Sequence, residues 1–209
     1  MSNLSARIDA FTDAAFAFAL SLMVVGTGGA APDYANLLVI IRTIPSFAIG
    51  FAIIAMFWIA HVRWRQFRGE GDWRSVSLTI LLVFTVLVYV HPLKAMAVSF
   101  AAFLGGEENS YGPHIAEMFT IYGVGFVIMA LITSALFRDA LRNPALPAGE
   151  RNAVKGEAII WLILVGTGVV STVMTLFPAI ALFAPSVYAT LPVTVGLFVA
   201  WWDWDGEAA

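Results

Sequence analysis

RIDAFTDAAFAFALSLMVV, residues 7–25, decides how the rest of this chain is read. Arg7, Asp9 and Asp13 occupy its first turns and an apolar run follows. This is the pattern of a membrane-crossing helix whose charged end faces protein or water, because charge left in hydrocarbon is costly. Phe11, Ala14, Ala15, Phe18, Leu22 and Val25 recur at steps of three and four, so they share one helical face with Ser21 at its margin. Small residues precede large ones along that face. An ordinary buried helix accounts for such a stripe equally well, and periodicity alone favours it.

The whole chain has the same character. It has 209 residues, 60% of them apolar and 12% charged. Two hundred residues cannot hide that much apolar surface in one globular core. The apolar residues also fall in blocks of roughly 17 to 25, the length that spans hydrocarbon, so helices rather than a barrel follow. Six spans are predicted: Asp9 to Thr27, Ile44 to Val62, Ser75 to Tyr89, Ile115 to Phe137, Ala158 to Phe177, and Ser186 to Trp202. The third has a possible continuation past Pro92 with a kink. The fold class is all-α, and residues 1–209 form a single six-span membrane domain. A cleaved leader is the other reading of Ala14 to Val25 with the small residues Gly28 to Ala31, but Asp9 and Asp13 cancel Arg7 and argue against it.

Charge orients these spans. Arg7 precedes the first; Arg63, Arg65, Arg68 and Arg74 follow the second; Arg138, Arg142, Arg151 and Lys155 follow the fourth. Arg42 and Lys94 stand on the other side. The positive side is cytoplasmic, which predicts that both termini lie inside. The segment Gly26 to Pro45 is then external, with Leu37 to Ile41 as a short outer helix, and so is the loop Gly105 to His114, where Glu107 and Glu108 read as a solvated tip. Trp58, Trp64, Trp73, Trp201, Trp202 and Trp204 sit near span ends, mostly as an interfacial aromatic belt.

The chemistry-bearing residues exclude more than they assign. Cysteine is absent, so a disulfide framework, thiolate metal site and thiol nucleophile are excluded. His61, His91 and His114 lie near three different span ends without metal-ligand spacing, so no metal or cofactor is expected. There is no GxSxG motif, which leaves an enzyme as the weakest class. Asp9 and Asp13, neighbours at i, i+4, are each expected to find a partner in Arg7 or in the second span. His61 is expected to make a polar helix-to-helix contact. Thr120 to Gly125, TIYGVG, superficially resembles a potassium-channel carbonyl filter, but its letters are reordered and lie inside an apolar span. Its glycines are expected to let helices approach closely.

Arg7, Phe11, Thr12 and Asp13 spell RxxxFTD, which resembles the RxxxFSD signature opening the first helix of the transmembrane protein 175 family, endosomal and lysosomal potassium channels with single-repeat prokaryotic relatives. FWIAHVRWRQF in the second span is similar to that family's tryptophan and histidine pattern. The resemblance implies a homotetramer in the cell membrane, surrounded by lipid, with the first helix lining a pore for monovalent cations, potassium above all. Nucleic acid is not an expected partner. The constriction would be apolar rather than a carbonyl filter, with its narrowest ring at Phe18, further layers at Leu22 and Val25, and Ser21 as the polar neighbour. Arg7, Phe11, Thr12 and Asp13 would form an assembly network with Trp58 and His61. Two features depart from the family: threonine replaces serine at position 12, and phenylalanine stands at 18 where isoleucine or leucine is usual. A proton-coupled carrier using Asp9, Asp13 and His61, or a non-permeating membrane subunit, are the alternatives.

Overall fold

The structure is a computed structural model that describes residues 2–24, 34, 41, 44–104 and 114–204. It is all-helical across those residues: α1 (Ser2–Val24), α2 (Ile44–Arg68), α3 (Trp73–Leu104), α4 (Ile115–Ala140), α5 (Ala148–Met174), a 3₁₀ segment (Ala181–Thr190) and α6 (Leu191–Trp201). The outer segments around Leu37 and around Glu107 and Glu108 fall outside the described residues, as does Val25.

Among the described residues, five segments are long and apolar enough to cross a membrane: α2, most of α3 and α4, α5, and the 3₁₀ segment joined to α6. The protein is therefore a multi-pass integral membrane protein. The first helix is not among these five, and its predicted span to Thr27 runs beyond the described residues. At 23 residues it reaches roughly 34 Å, but Arg7, Asp9 and Asp13 keep its apolar content below that of the others.

Helices outrun the apolar blocks that announced them. Beyond Val62, α2 continues to Arg68, and α5 begins ten residues before Ala158, because charge ends a membrane span but does not end a helix. Helix α2 stops where Gly69 takes φ 63° and its N–H bonds the Arg65 carbonyl at 3.2 Å, a left-handed cap that a side chain would strain. Three residues later Asp72 caps α3, its Oδ1 accepting from the backbone N–H of Arg74 at 3.0 Å and of Ser75 at 3.1 Å. Helix α3 runs through Pro92 to Leu104. The last span is built differently from the rest, as a 3₁₀ segment containing Pro185 followed by α6 with Pro192 in its first turn.

The core lies among α2, α3, α4 and α5. Phe57 of α2 is fully buried, with its ring 5.9 Å edge-on to Phe126 of α4 and 5.1 Å from Trp161 of α5. Helices α4 and α5 pack closely along their length, and α1 lies against α2 and α3. TIYGVG lies wholly inside α4, which rules out an extended filter there. A methyl group at Gly125 would overlap the Tyr89 ring and one at Gly123 would overlap the Thr172 hydroxyl, so both glycines do admit close neighbours.

Candidate functional site: the two faces of the first helix

Helix α1 has a covered face and an open one. Thr12, Phe16, Ala19 and Met23, again at steps of three and four, are buried against α2 and α3; Phe16 is 2% exposed and Ala19 fully buried. Phe11 and Phe18 are 55% and 57% exposed, and Ala14 and Ser21 are exposed beside them. Of the stripe singled out by its spacing, Phe11, Ala14 and Phe18 are thus left uncovered by the protomer, while Ala15 is half-buried. Leu22, at the edge of this stripe, is half-buried and packs on the core. The Ser21 hydroxyl donates to the Ala17 carbonyl at 3.0 Å, so its proton is used within the helix and its lone pairs remain available on the open side.

The charged end of α1 is held by α2. Arg65 donates through Nε to both oxygens of Asp9, at 2.9 and 3.0 Å. One turn further on, the Trp58 indole N–H donates to Asp13 Oδ1 at 2.8 Å. Both bonds are charge-assisted and join residues far apart in sequence, so they fix the rotation of α1 about its own axis. Thr12 is buried and donates to the Ile8 carbonyl at 2.8 Å, which satisfies its hydroxyl inside the contact.

His61 is buried beside Trp64, with ring centroids 5.1 Å apart, and its Nε2 lies 3.2 Å from the Thr79 hydroxyl of α3. It makes the expected helix-to-helix contact, but with α3 and not with the motif on α1. Asp9, Asp13 and His61 each engage a different partner, so they do not assemble into a relay. Arg7 and Phe11 share the open side, and Arg7 has no side-chain partner among the described residues. Trp64 is only 2% exposed and belongs to the core, not to an interfacial belt, whereas Trp73 and Trp201 are largely exposed.

A second polar cluster was not visible in the residue spacing. Asp139, at the end of α4, is 1% exposed and accepts from Arg68 Nε at 2.9 Å and from the Ser75 hydroxyl at 2.6 Å. Arg142 bridges Asp139 and Asp72, at 3.3 and 3.2 Å, and Asn143 donates to the Phe67 carbonyl at 2.9 Å. Arg63 pairs with Glu157 of α5 at 2.5 Å. Four of the arginines counted to orient the chain, Arg63, Arg68, Arg74 and Arg142, thus meet acids here and tie α2, α3, α4 and α5 together. Asp72 sits outside the spans, and its carboxyl is held below the usual aspartate range, chiefly by the Ser75 backbone N–H and further by Arg142 and Arg68. The clue in the sequence was an aspartate at position 139 closing an otherwise apolar span, which the counting of positive charge passes over.

This arrangement is held together by hydrogen bonds and ion pairs between helices. It presents a rotationally fixed helix with one apolar, partly aromatic side left open. Residues 7–92 match the model of a family described as "Endosomal/lysosomal potassium channel TMEM175". A Marivirga tractuosa protein named "Potassium channel" is 27% identical over 185 residues, which cover 81% of this chain and 74% of that protein. The crystal structure of a variant of the potassium channel MtTMEM175, solved in complex with a Nanobody-MBP fusion protein, has the same fold with a TM-score of 0.81. That likeness covers 93% of this chain and 91% of the other at 24% identity.

Proposed function

We propose that this chain, whose residues 7–92 match the model of the transmembrane protein 175 family, is a potassium-preferring cation channel of the cell membrane, assembled from four copies with α1 lining the pore. The observation that carries this reading is the asymmetry of α1. Thr12, Phe16, Ala19 and Met23 are covered by the protomer, while Phe11, Ala14, Phe18 and Ser21 are not. An ordinary buried helix would have its large apolar stripe inside. Here Phe11 and Phe18 face out on the side that also carries the exposed Arg7, a charge that suits water or protein better than lipid. A fourfold axis beside that stripe resolves both difficulties.

In this reading Phe18 forms the narrowest ring, with Leu22 and Val25 as further apolar layers. A narrow apolar neck resists wetting and so limits conduction by the cost of admitting water and ions. Ser21 offers hydroxyl lone pairs one turn from Phe18, and the phenylalanine faces offer a weak attraction to a partly dehydrated cation. Asp9, Asp13, Trp58 and Arg65 set the rotation that aims Phe18 at the axis. Both termini and the arginine-rich end lie in the cytoplasm. The carrier alternative loses support because its three relay residues are bonded to separate partners.

The test is potassium flux into liposomes holding the purified protein, with sodium and proton controls. Phe18→Ala should widen the neck and raise leak or relax selectivity. Unchanged conductance and selectivity would place the constriction elsewhere, and folded tetramers with no flux in any ionic condition would favour the non-permeating reading.

A further inference from the structure

The RxxxFTD motif occurs as one run in the sequence, but the structure divides it between two sides of α1. Thr12 is buried, and Asp13, like the neighbouring Asp9, is bonded to α2. Arg7 lies four residues before Phe11 and eleven before Phe18, on the open stripe. It is exposed and has no partner among the described residues. The acids nearest to it in sequence are already engaged, Asp9 by Arg65 and Asp13 by Trp58. Other arginines at this end are paired: Arg68 with Asp139, Arg142 with Asp72 and Arg63 with Glu157. Within the protomer the guanidinium of Arg7 therefore meets no counter-charge among the described residues, on the face that carries Phe18.

We propose that Arg7 is a conductance-setting residue: four copies ring the cytoplasmic mouth of the pore and lower the local concentration of cations entering from that side. The proposal rests on the channel reading above. Eleven helical residues separate Arg7 from Phe18, roughly 16 Å along the axis. The ring therefore acts on the supply of ions and not on their dehydration at the neck. Like charges at a mouth repel permeant cations through the local potential, and salt screens that potential, with a screening length of about 10 Å at 0.1 M and about 3 Å at 1 M. Outward potassium current should be depressed relative to inward current in dilute salt, and the difference should vanish in concentrated salt. Selectivity, set at the neck, should not change.

The first measurement uses the unmodified protein in planar bilayers with symmetric potassium chloride. Currents should be asymmetric at about 50 mM and symmetric at about 1 M. The second exploits the absence of cysteine, since Arg7→Cys places a single thiol in the chain. Arg7→Cys should raise outward conductance on the order of twofold in dilute salt, with no change in the potassium to sodium ratio. A positively charged thiosulfonate reagent added on the cytoplasmic side should restore the original asymmetry, and a negatively charged one should raise outward current further. Arg7→Lys should behave as the parent. Symmetric parent currents at low salt, or a thiol variant equally affected by both reagents, would overturn the proposal, and a shift in selectivity would place Arg7 at the neck instead. If Phe18→Ala alters selectivity in the same bilayers while the Arg7 results fail, only the role of Arg7 falls. If Phe18→Ala is silent too, the pore assignment itself falls.

Discussion

Replacing Asp139 with alanine should destabilise the bundle more than any other single charge removal at its basic end. The carboxylate is 1% exposed and serves Arg68 at 2.9 Å, the Ser75 hydroxyl at 2.6 Å and Arg142 at 3.3 Å, so it joins α2, α3 and α4. Removing one partner of a buried ion pair costs about 3–5 kcal/mol, because the remaining charge keeps its desolvation penalty. Arg68 would retain the Glu70 carbonyl at 3.1 Å and Asp72 at 3.5 Å, which places the expected loss near the lower bound, at about 3 kcal/mol or roughly a hundredfold in the folding equilibrium. Asp139→Asn keeps an acceptor for Ser75 and should lose less, about 2 kcal/mol. The joint change Arg68→Met with Asp139→Leu removes both charges and should recover most of the loss. Equilibrium unfolding in mixed detergent micelles, followed by tryptophan fluorescence, measures all three. An Asp139→Ala protein within about 0.5 kcal/mol of the parent, or a double variant no better than the single, would refute the reasoning.

Further consequences are open to measurement. Trp58→Phe removes the 2.8 Å bond to Asp13 and should cost about 1 kcal/mol at this partly exposed site; it should also speed hydrogen exchange in α1 while leaving α4 unaffected. Gly125→Ala pushes a methyl into the Tyr89 ring and should destabilise by about 1–3 kcal/mol. Gly166→Ala meets nothing within 4 Å and should be neutral or stabilising by up to about 1 kcal/mol, so the two glycines test packing against propensity in the same measurement. Asp72 has a folded-state carboxyl pKa below its unfolded value, so its contribution is complete above the ordinary aspartate range and is lost as pH falls through the depressed value. The stability deficit of Asp72→Ala should accordingly be constant near neutrality and disappear in acid; a deficit that grows with acidification would contradict the capping role.

Local pattern in the chain was enough to establish a good deal. Blocks of apolar residues placed the spans, because hydrocarbon demands a fixed length of satisfied backbone. Arginine counts grouped the ends that the structure brings together, and TIYGVG was legible as helix because nothing around it supported an extended filter. Steps of three and four identified the α1 stripe, since a helix repeats its faces whatever surrounds it. Partner choice is different, because it depends on which helix lies alongside and at what rotation. Asp9 could have met Arg7 in its own helix but is bonded to Arg65, 56 residues away. His61 turned to Thr79, Trp64 entered the core, and Asp139 gathered donors from α2, from α3 and from Arg142 beyond its own helix, none of which follows from spacing. Periodicity alone favoured burying the stripe that holds Phe18, yet Phe16, two residues away and equally apolar, is the one that is covered. Packing of α1 on α2 and α3 buried Phe16 and left Phe18 facing outward.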